Sequence, residues 1–192
     1  VQHLLMLIAD KSIYRTTRNE ALSFLGEMGY SGDAELDDAT ISVLQIWVTE
    51  ENTTEDVREL AMDSLVKLKV NRDDVVRDLI GVVQDKSVYP RVRRYAAAVF
   101  KDLPVEDKEM VTEALSATLY DPEEKSDLLR VPIAHLLNKW GTDENALAYL
   151  KAAAEQSYMA LARYRAAMYL LDLDEREEAI AVLLKLVENP EI

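Results

Sequence analysis

The sequence predicts an all-α chain of five helical hairpins and one terminal helix, stacked as an α-solenoid. Three observations lead there. A short phrase recurs five times: Thr17-Arg18-x-x-Ala21, Val57-Arg58-x-x-Ala61, Val92-Arg93-x-x-Ala96, Leu129-Arg130-x-x-Ile133 and Ala162-Arg163-x-x-Ala166. Its arginines fall 40, 35, 37 and 33 residues apart, a period of stacked repeats rather than of a closed globule. Finally, five Gly and five Pro in 192 residues, with 49% apolar side chains, favour helix and leave no Gly-rich linker. Residues 1–192 therefore read as one array. Its repeats lie near 1–30, 35–70, 72–104, 105–141 and 142–173, with an incomplete one at 174–192.

The first helix of each repeat is expected at 1–9, 36–50, 73–84, 106–120, 143–155 and 175–188. In the second repeat Ile41, Val43, Leu44, Trp47 and Val48 lie close to a helical stripe. Thr53 and Thr54 follow as cap candidates, with Glu55 and Asp56 suited to a helix N-terminus. Val57, Leu60, Ala61, Leu65 and Leu68 then step by three and four residues and define the second helix. Neither helix can bury its stripe alone, so neighbouring repeats must stack. The second helices share one register: a small column (Ala21, Ala61, Ala96, Ile133, Ala166) precedes a large one (Leu25, Leu65, Phe100, Leu137, Leu170), and a third follows three residues on (Met28, Leu68, Leu103, Trp140, Leu173). Alanine permits close helix approach and the large residues fill the space between layers.

Ile133 breaks the small column beside Pro132, which is expected near the first turn of its helix, and the fourth repeat is expected to bend or pack differently. Asp121-Pro122 and Asn189-Pro190 are expected to end first helices, because proline disfavours a helical residue before it. The chain opens at Val1 inside an apolar run and closes just after Asn189-Pro190, so a fragment of a longer array is expected.

A net charge of −14 repels polyanions, which disfavours nucleic acid and acidic membranes as partners. With no Cys there is neither a disulfide nor a thiolate metal site, and the expected location is cytoplasmic. No apolar run approaches the roughly 20 residues of a membrane span, and no signal peptide is visible. Asn52-Thr53-Thr54 matches a glycosylation sequon and is read as chance.

No enzyme, metal or cofactor is expected. His3 and His135 are the only histidines and stand far apart, without metal-ligand spacing. No Gly-rich loop can cradle phosphate, and no serine sits in a nucleophile elbow. Asp37-Asp38 and Asp73-Asp74 fall at helix starts, where they serve the dipole.

An acid precedes each repeat arginine at nearly fixed distance: Asp10–Arg18, Glu50–Arg58, Asp85–Arg93, Asp121–Arg130 and Glu155–Arg163. Recurrence in every repeat marks structure, since an active site is needed once. Bidentate carboxylate–guanidinium pairing is expected to fix the stacking angle.

The V-R-x-x-A-x-x-x-L phrase, as in Val57-Arg58-Glu59-Leu60-Ala61-Met62-Asp63-Ser64-Leu65, and the preceding acid resemble the HEAT-repeat family, particularly its short phycobilisome-lyase and prokaryotic type. Leu25-Gly26 also matches the family, whereas Thr17, Ala162 and Ile133 depart from it. The resemblance spans essentially the whole chain. It implies a right-handed α-α superhelix with the second helices lining the concave face. It further implies an adaptor or scaffold holding a protein or peptide, or alternatively a chromophore-lyase-like handler of a small ligand. A dimerisation or sensor segment of a larger protein is a third possibility.

Opposite the buried stripe of the second helices, three columns are expected to face a ligand. The early repeats offer small or charged groups there, Asn19, Glu59, Ser23 and Asp63 among them, with Gly26 in the third column. The last two repeats offer Val131, His135, Asn138, Tyr164, Met168 and Leu171, the apolar and aromatic anchors typical of interfaces. The same group could instead pack on a missing layer. Arg94 stands in a basic cluster with Arg91, Arg93 and Lys101, readable as an acidic-peptide or phosphate contact or as a solvated turn.

Overall fold

The computed structural model describes residues 1–10, 12–50 and 53–188, and α-helix is the only regular structure among them. Asn52 of the sequon and the Asn189-Pro190 helix stop lie outside the described residues. Contacts divide the chain into two compact units, Val1–Lys108 and Glu109–Ile192.

The first unit holds α1 (Gln2–Ala9), α2 (Arg15–Met28), α3 (Ala34–Thr49), α4 (Glu55–Lys67), α5 (Asp73–Gln84) and α6 (Pro90–Val99). The hairpins α1/α2, α3/α4 and α5/α6 pack internally; α2 rests on α4 and α4 on α6, while α1 rests on α3 and α3 on α5. The second unit holds α7 (Lys108–Leu119), α8 (Asp127–Trp140), α9 (Ala146–Gln156), α10 (Ala160–Asp172) and α11 (Arg176–Glu188). Here α9 packs on α8 and α10, α10 on α8 and α11, and α11 also on α9.

Local chemistry sets the helix ends. Asp33 caps α3 by accepting from the Glu35 and Leu36 N–H groups, and Ser126 caps α8 by accepting from Leu129 N–H. Gly141 ends α8 in the left-handed region, φ 67°, which glycine alone enters freely. Thr54 stands at the N-cap of α4 without a side-chain capping bond, and the buried Thr53 hydroxyl has no partner. Pro132 lies beyond the first turn of α8, inside the helix, which corrects the expected position.

The small and large columns are buried in full, Ile133 included; of the third column Leu68 and Leu103 are buried, whereas Met28 is exposed and Trp140 and Leu173 are half-buried. Gly26, expected on the ligand-facing side, is buried instead. An added Cβ there would meet Ser64 Cα at 2.8 Å, so glycine is what lets α2 approach α4. Ser64 Oγ lies 2.9 Å from the Leu22 and Leu60 carbonyl oxygens, and its hydroxyl ties the two helices at the same point.

The acid–arginine recurrence has a different chemistry from the one expected. Arg58 Nη2 donates to the Glu50 carbonyl at 2.6 Å, Arg93 Nε to the Val83 carbonyl at 2.8 Å, and Arg130 Nη2 to the Asp121 carbonyl. Each of these oxygens lies at the C-terminal end of the preceding helix, where carbonyls lack helical N–H partners and the dipole is negative. In these three of the five hairpins, the arginine of the second helix thus ties down the main chain at the end of the first.

The acids turn the chain instead. Asp10 accepts from the N–H and hydroxyl of Ser12, and Asp85 does the same from Ser87. These bonds, with the Arg18 and Arg93 charges as smaller causes, hold both carboxyls below their ordinary range. Arg18 stacks its guanidinium 5.7 Å from the Trp47 ring centre. Arg163 is 9% exposed, and its Nε and Nη2 have no hydrogen-bond partner. Glu155, its expected partner, is exposed and makes no ion pair with it.

A second set of polar contacts links successive first helices in the first unit. Arg72 grips Asp74 through two bonds of 3.0 and 2.7 Å and reaches Asp38 on α3 at 2.8 Å. Gln45 on α3 donates to Asp74 and Asp78 on α5. The Arg72 hydrogen bond, aided by Gln45, holds the Asp74 carboxyl down at about 2. A carboxyl depressed in the folded state stabilises above its unfolded value, and that contribution fades as pH falls through the folded one. The thermal midpoint is therefore expected to fall between pH 4 and 2, and Arg72→Gln to flatten that fall; parallel slopes by circular dichroism would contradict it.

Candidate functional site

In the second unit, the expected apolar candidates include an exposed row on α10. Wound on α10, Leu161, Tyr164 and Met168 are spaced so that one side of the helix presents all three, and they are 49, 46 and 42% exposed. Leu171 extends the row and is half-buried. The opposite side of α10, with Ala162, Ala166, Ala167 and Leu170, is fully buried, so core packing positions the row.

Val131 and His135 do not belong to that surface, although both were expected there. Val131 is buried in α8, and seven consecutive residues from Val131 to Leu137 are buried. A helix covered on most of its circumference has no ligand-facing side at this level, and periodicity counted on one helix cannot reveal that. Asn138 is half-buried at the same helix's end. Arg94 is half-buried on α6, in the first unit, whereas the other six candidates lie in the second.

His135 is instead part of a clamp between α8 and α10. Its Nε2–H donates to Asp172 Oδ2 at 2.7 Å, and its ring stacks on Tyr169 with centres 4.2 Å apart and an 11° tilt. Lys139 Nζ donates to the same carboxylate oxygen at 3.0 Å. Hydrogen bonds from Lys139 first and His135 second hold the Asp172 carboxyl below its ordinary range. With its imidazole stacked on Tyr169 and its N–H committed to an ionised acid, His135 holds two helices in register.

Two ligand-facing positions of the first unit, Glu59 and Asp63, are taken up by bonds from α6. Arg91 Nε and Nη2 pair with both oxygens of Glu59 at 2.8 and 2.7 Å, and the Tyr95 hydroxyl donates to Asp63. Burial and that bond raise the Tyr95 phenol well above its ordinary value. The basic cluster is therefore largely spent: Arg91 on Glu59, Arg93 on the Val83 carbonyl.

Sequence reasoning missed Leu161, Tyr169 and Asp172. Leu161 precedes the repeat phrase, so columns counted from that phrase skip it, although the spacing 161, 164, 168, 171 was available. Tyr169 and Asp172 act through partners on another helix, which no single-helix pattern encodes. Among the described residues, no group of three or more His, Cys, Asp or Glu is arranged to hold a metal ion. No described helix is long and apolar enough to cross a membrane. No protein-family model matches the chain, and no curated protein matches it.

Proposed function

We propose that this chain is a non-catalytic protein-binding scaffold, a HEAT-like right-handed superhelix of the cytoplasm that holds a protein or peptide on its second helices. The observation that carries the reading is the exposed row Leu161, Tyr164 and Met168 on α10. Tyrosine and methionine are enriched at protein interfaces, and here they stand in line with a leucine on a rigid helix, a row that a charged chain exposes at a solubility cost. The net charge of −14 supports a partner other than nucleic acid.

The test is affinity capture with the native chain and with Tyr164→Glu/Met168→Glu, after both show the same melting transition. A specific protein retained by the native chain and lost by the variant is the expected result. Equal retention by both, or none by either, would defeat the reading.

A further inference from the structure

A hollow of about 370 Å³ opens in the first unit between the first turn of α4 and the turn that leads from α5 to α6, within the ~300–1,000 Å³ range of small-molecule sites. Arg58, Asp85, Ser87, Val88, Tyr89 and Val92 line it. Arg58 is 6% exposed, and its one hydrogen bond among the described residues runs from Nη2 to the Glu50 carbonyl. Nε and Nη1 of this deeply buried guanidinium have no acceptor among those residues. Keeping a cation at this depth with donors unfilled is costly unless something that enters the hollow takes them.

Asp85 lines the same hollow from the next repeat. The Ser87 hydroxyl and N–H both donate to its Oδ1, at 2.7 and 2.8 Å, and Oδ2 takes no bond among the described residues. Those bonds first, then the Arg93 and Arg58 charges, hold the carboxyl below its ordinary range, so it is ionised at neutral pH. Arg58 and Asp85 thus carry opposite charges and lie within reach of each other's field, but no ion pair joins these two described residues. Two unjoined charges select their ligand. An anion on Arg58 would face Asp85, and a cation on Asp85 would face Arg58. A neutral amide would touch both but bring charge to neither. The carboxylate and ammonium of an α-amino acid hang on one carbon and answer both with charge-assisted hydrogen bonds, the stronger kind. Val88, Val92 and the Tyr89 ring supply the walls for an apolar side chain.

We propose that this hollow binds a free α-amino acid with an apolar side chain, its carboxylate on Arg58, its ammonium on Asp85 and its side chain against Val88, Val92 and Tyr89. The site lies within the first unit and does not depend on the α10 row.

Isothermal titration of the whole chain with L-leucine is expected to give a Kd of about 1 mM or tighter. Leucinamide, which lacks the carboxylate, and N-acetylleucine, which lacks the ammonium, are each expected to bind at least about tenfold more weakly. Asp85→Asn keeps an oxygen for the Ser87 bonds but removes the charge, and is expected to weaken leucine by a similar factor. Asp10→Asn makes the same change in the sister turn, where Asp10 accepts from Ser12 outside the hollow, and is expected to leave leucine binding as it was. Tyr89→Ala, at a side chain 68% exposed and so of little weight in folding, is expected to narrow the preference for leucine over glycine. No binding of leucine, equal binding of leucinamide or N-acetylleucine, or leucine binding that survives Asp85→Asn would overturn the proposal. Equal loss in Asp10→Asn and Asp85→Asn would overturn it too, since a general loosening of the turns would then explain both.

Discussion

Phe100→Ala is expected to lower the stability of the first unit by about 3–5 kcal/mol. Phe100 is 1% exposed and is the largest of the fully buried side chains. It stands at the C-cap of α6, in the column where the other four repeats carry leucine, and α6 packs on α4 and α5. A ring in place of leucine means that the neighbouring layers have closed around the larger volume. Removing it loses the transfer free energy and leaves a cavity that two packed helices cannot fill. Phe100→Leu restores the side chain used elsewhere in the column, and a cost below about 1.5 kcal/mol is expected for such a near-conservative swap. The chain's two tryptophans make the measurement local, because Trp47 lies in the first unit and Trp140 in the second. Urea titration of Trp47 fluorescence in a Trp140→Phe background reports the first unit. A loss under about 1 kcal/mol for Phe100→Ala would mean that this layer relaxes as ordinary core does not.

Two glycine-to-alanine changes are expected to act with opposite sign. Both sites are helical, so alanine brings the same propensity gain of about 1 kcal/mol. At Gly81 on α5 an added Cβ meets nothing within 4 Å, and the gain stands alone. At Gly26 the Cβ would sit 2.8 Å from Ser64 Cα, a backbone atom that cannot rotate aside. Relief needs α2 and α4 to separate, which loosens the Ser64 bond to the Leu22 carbonyl and the alanine contacts beside it. Overpacking costs about 1–3 kcal/mol, so Gly26→Ala is expected to destabilise and Gly26→Leu to do so more strongly. Ser64→Ala should not rescue it, because the closest contact is with main chain. A stabilised Gly26→Ala variant would show that the two helices can part freely.

Much of this architecture was legible from residue order alone. Expected first helices at 73–84 and 175–188 meet α5 (Asp73–Gln84) and α11 (Arg176–Glu188) almost to the residue. Two of the three columns counted from the repeat phrase are buried throughout, because helical period is a local property repeated five times; the third, at the helix ends, is buried only at Leu68 and Leu103. The candidate surface was legible in part: Tyr164 and Met168 are exposed as expected, while Val131 and His135 are buried.

The sequence by itself determined that the chain is helical, which positions form its columns, and where acid and arginine recur. Only the tertiary structure decided what those recurring groups bond to and which columns meet solvent. The physical reason is range. Helix period and turn chemistry act within a few residues, so spacing encodes them. Whether Arg58 reaches a carboxylate or the Glu50 carbonyl depends on how two helices close on each other. Likewise, His135 is buried because Asp172 and Tyr169, on a helix two elements later, come to meet it.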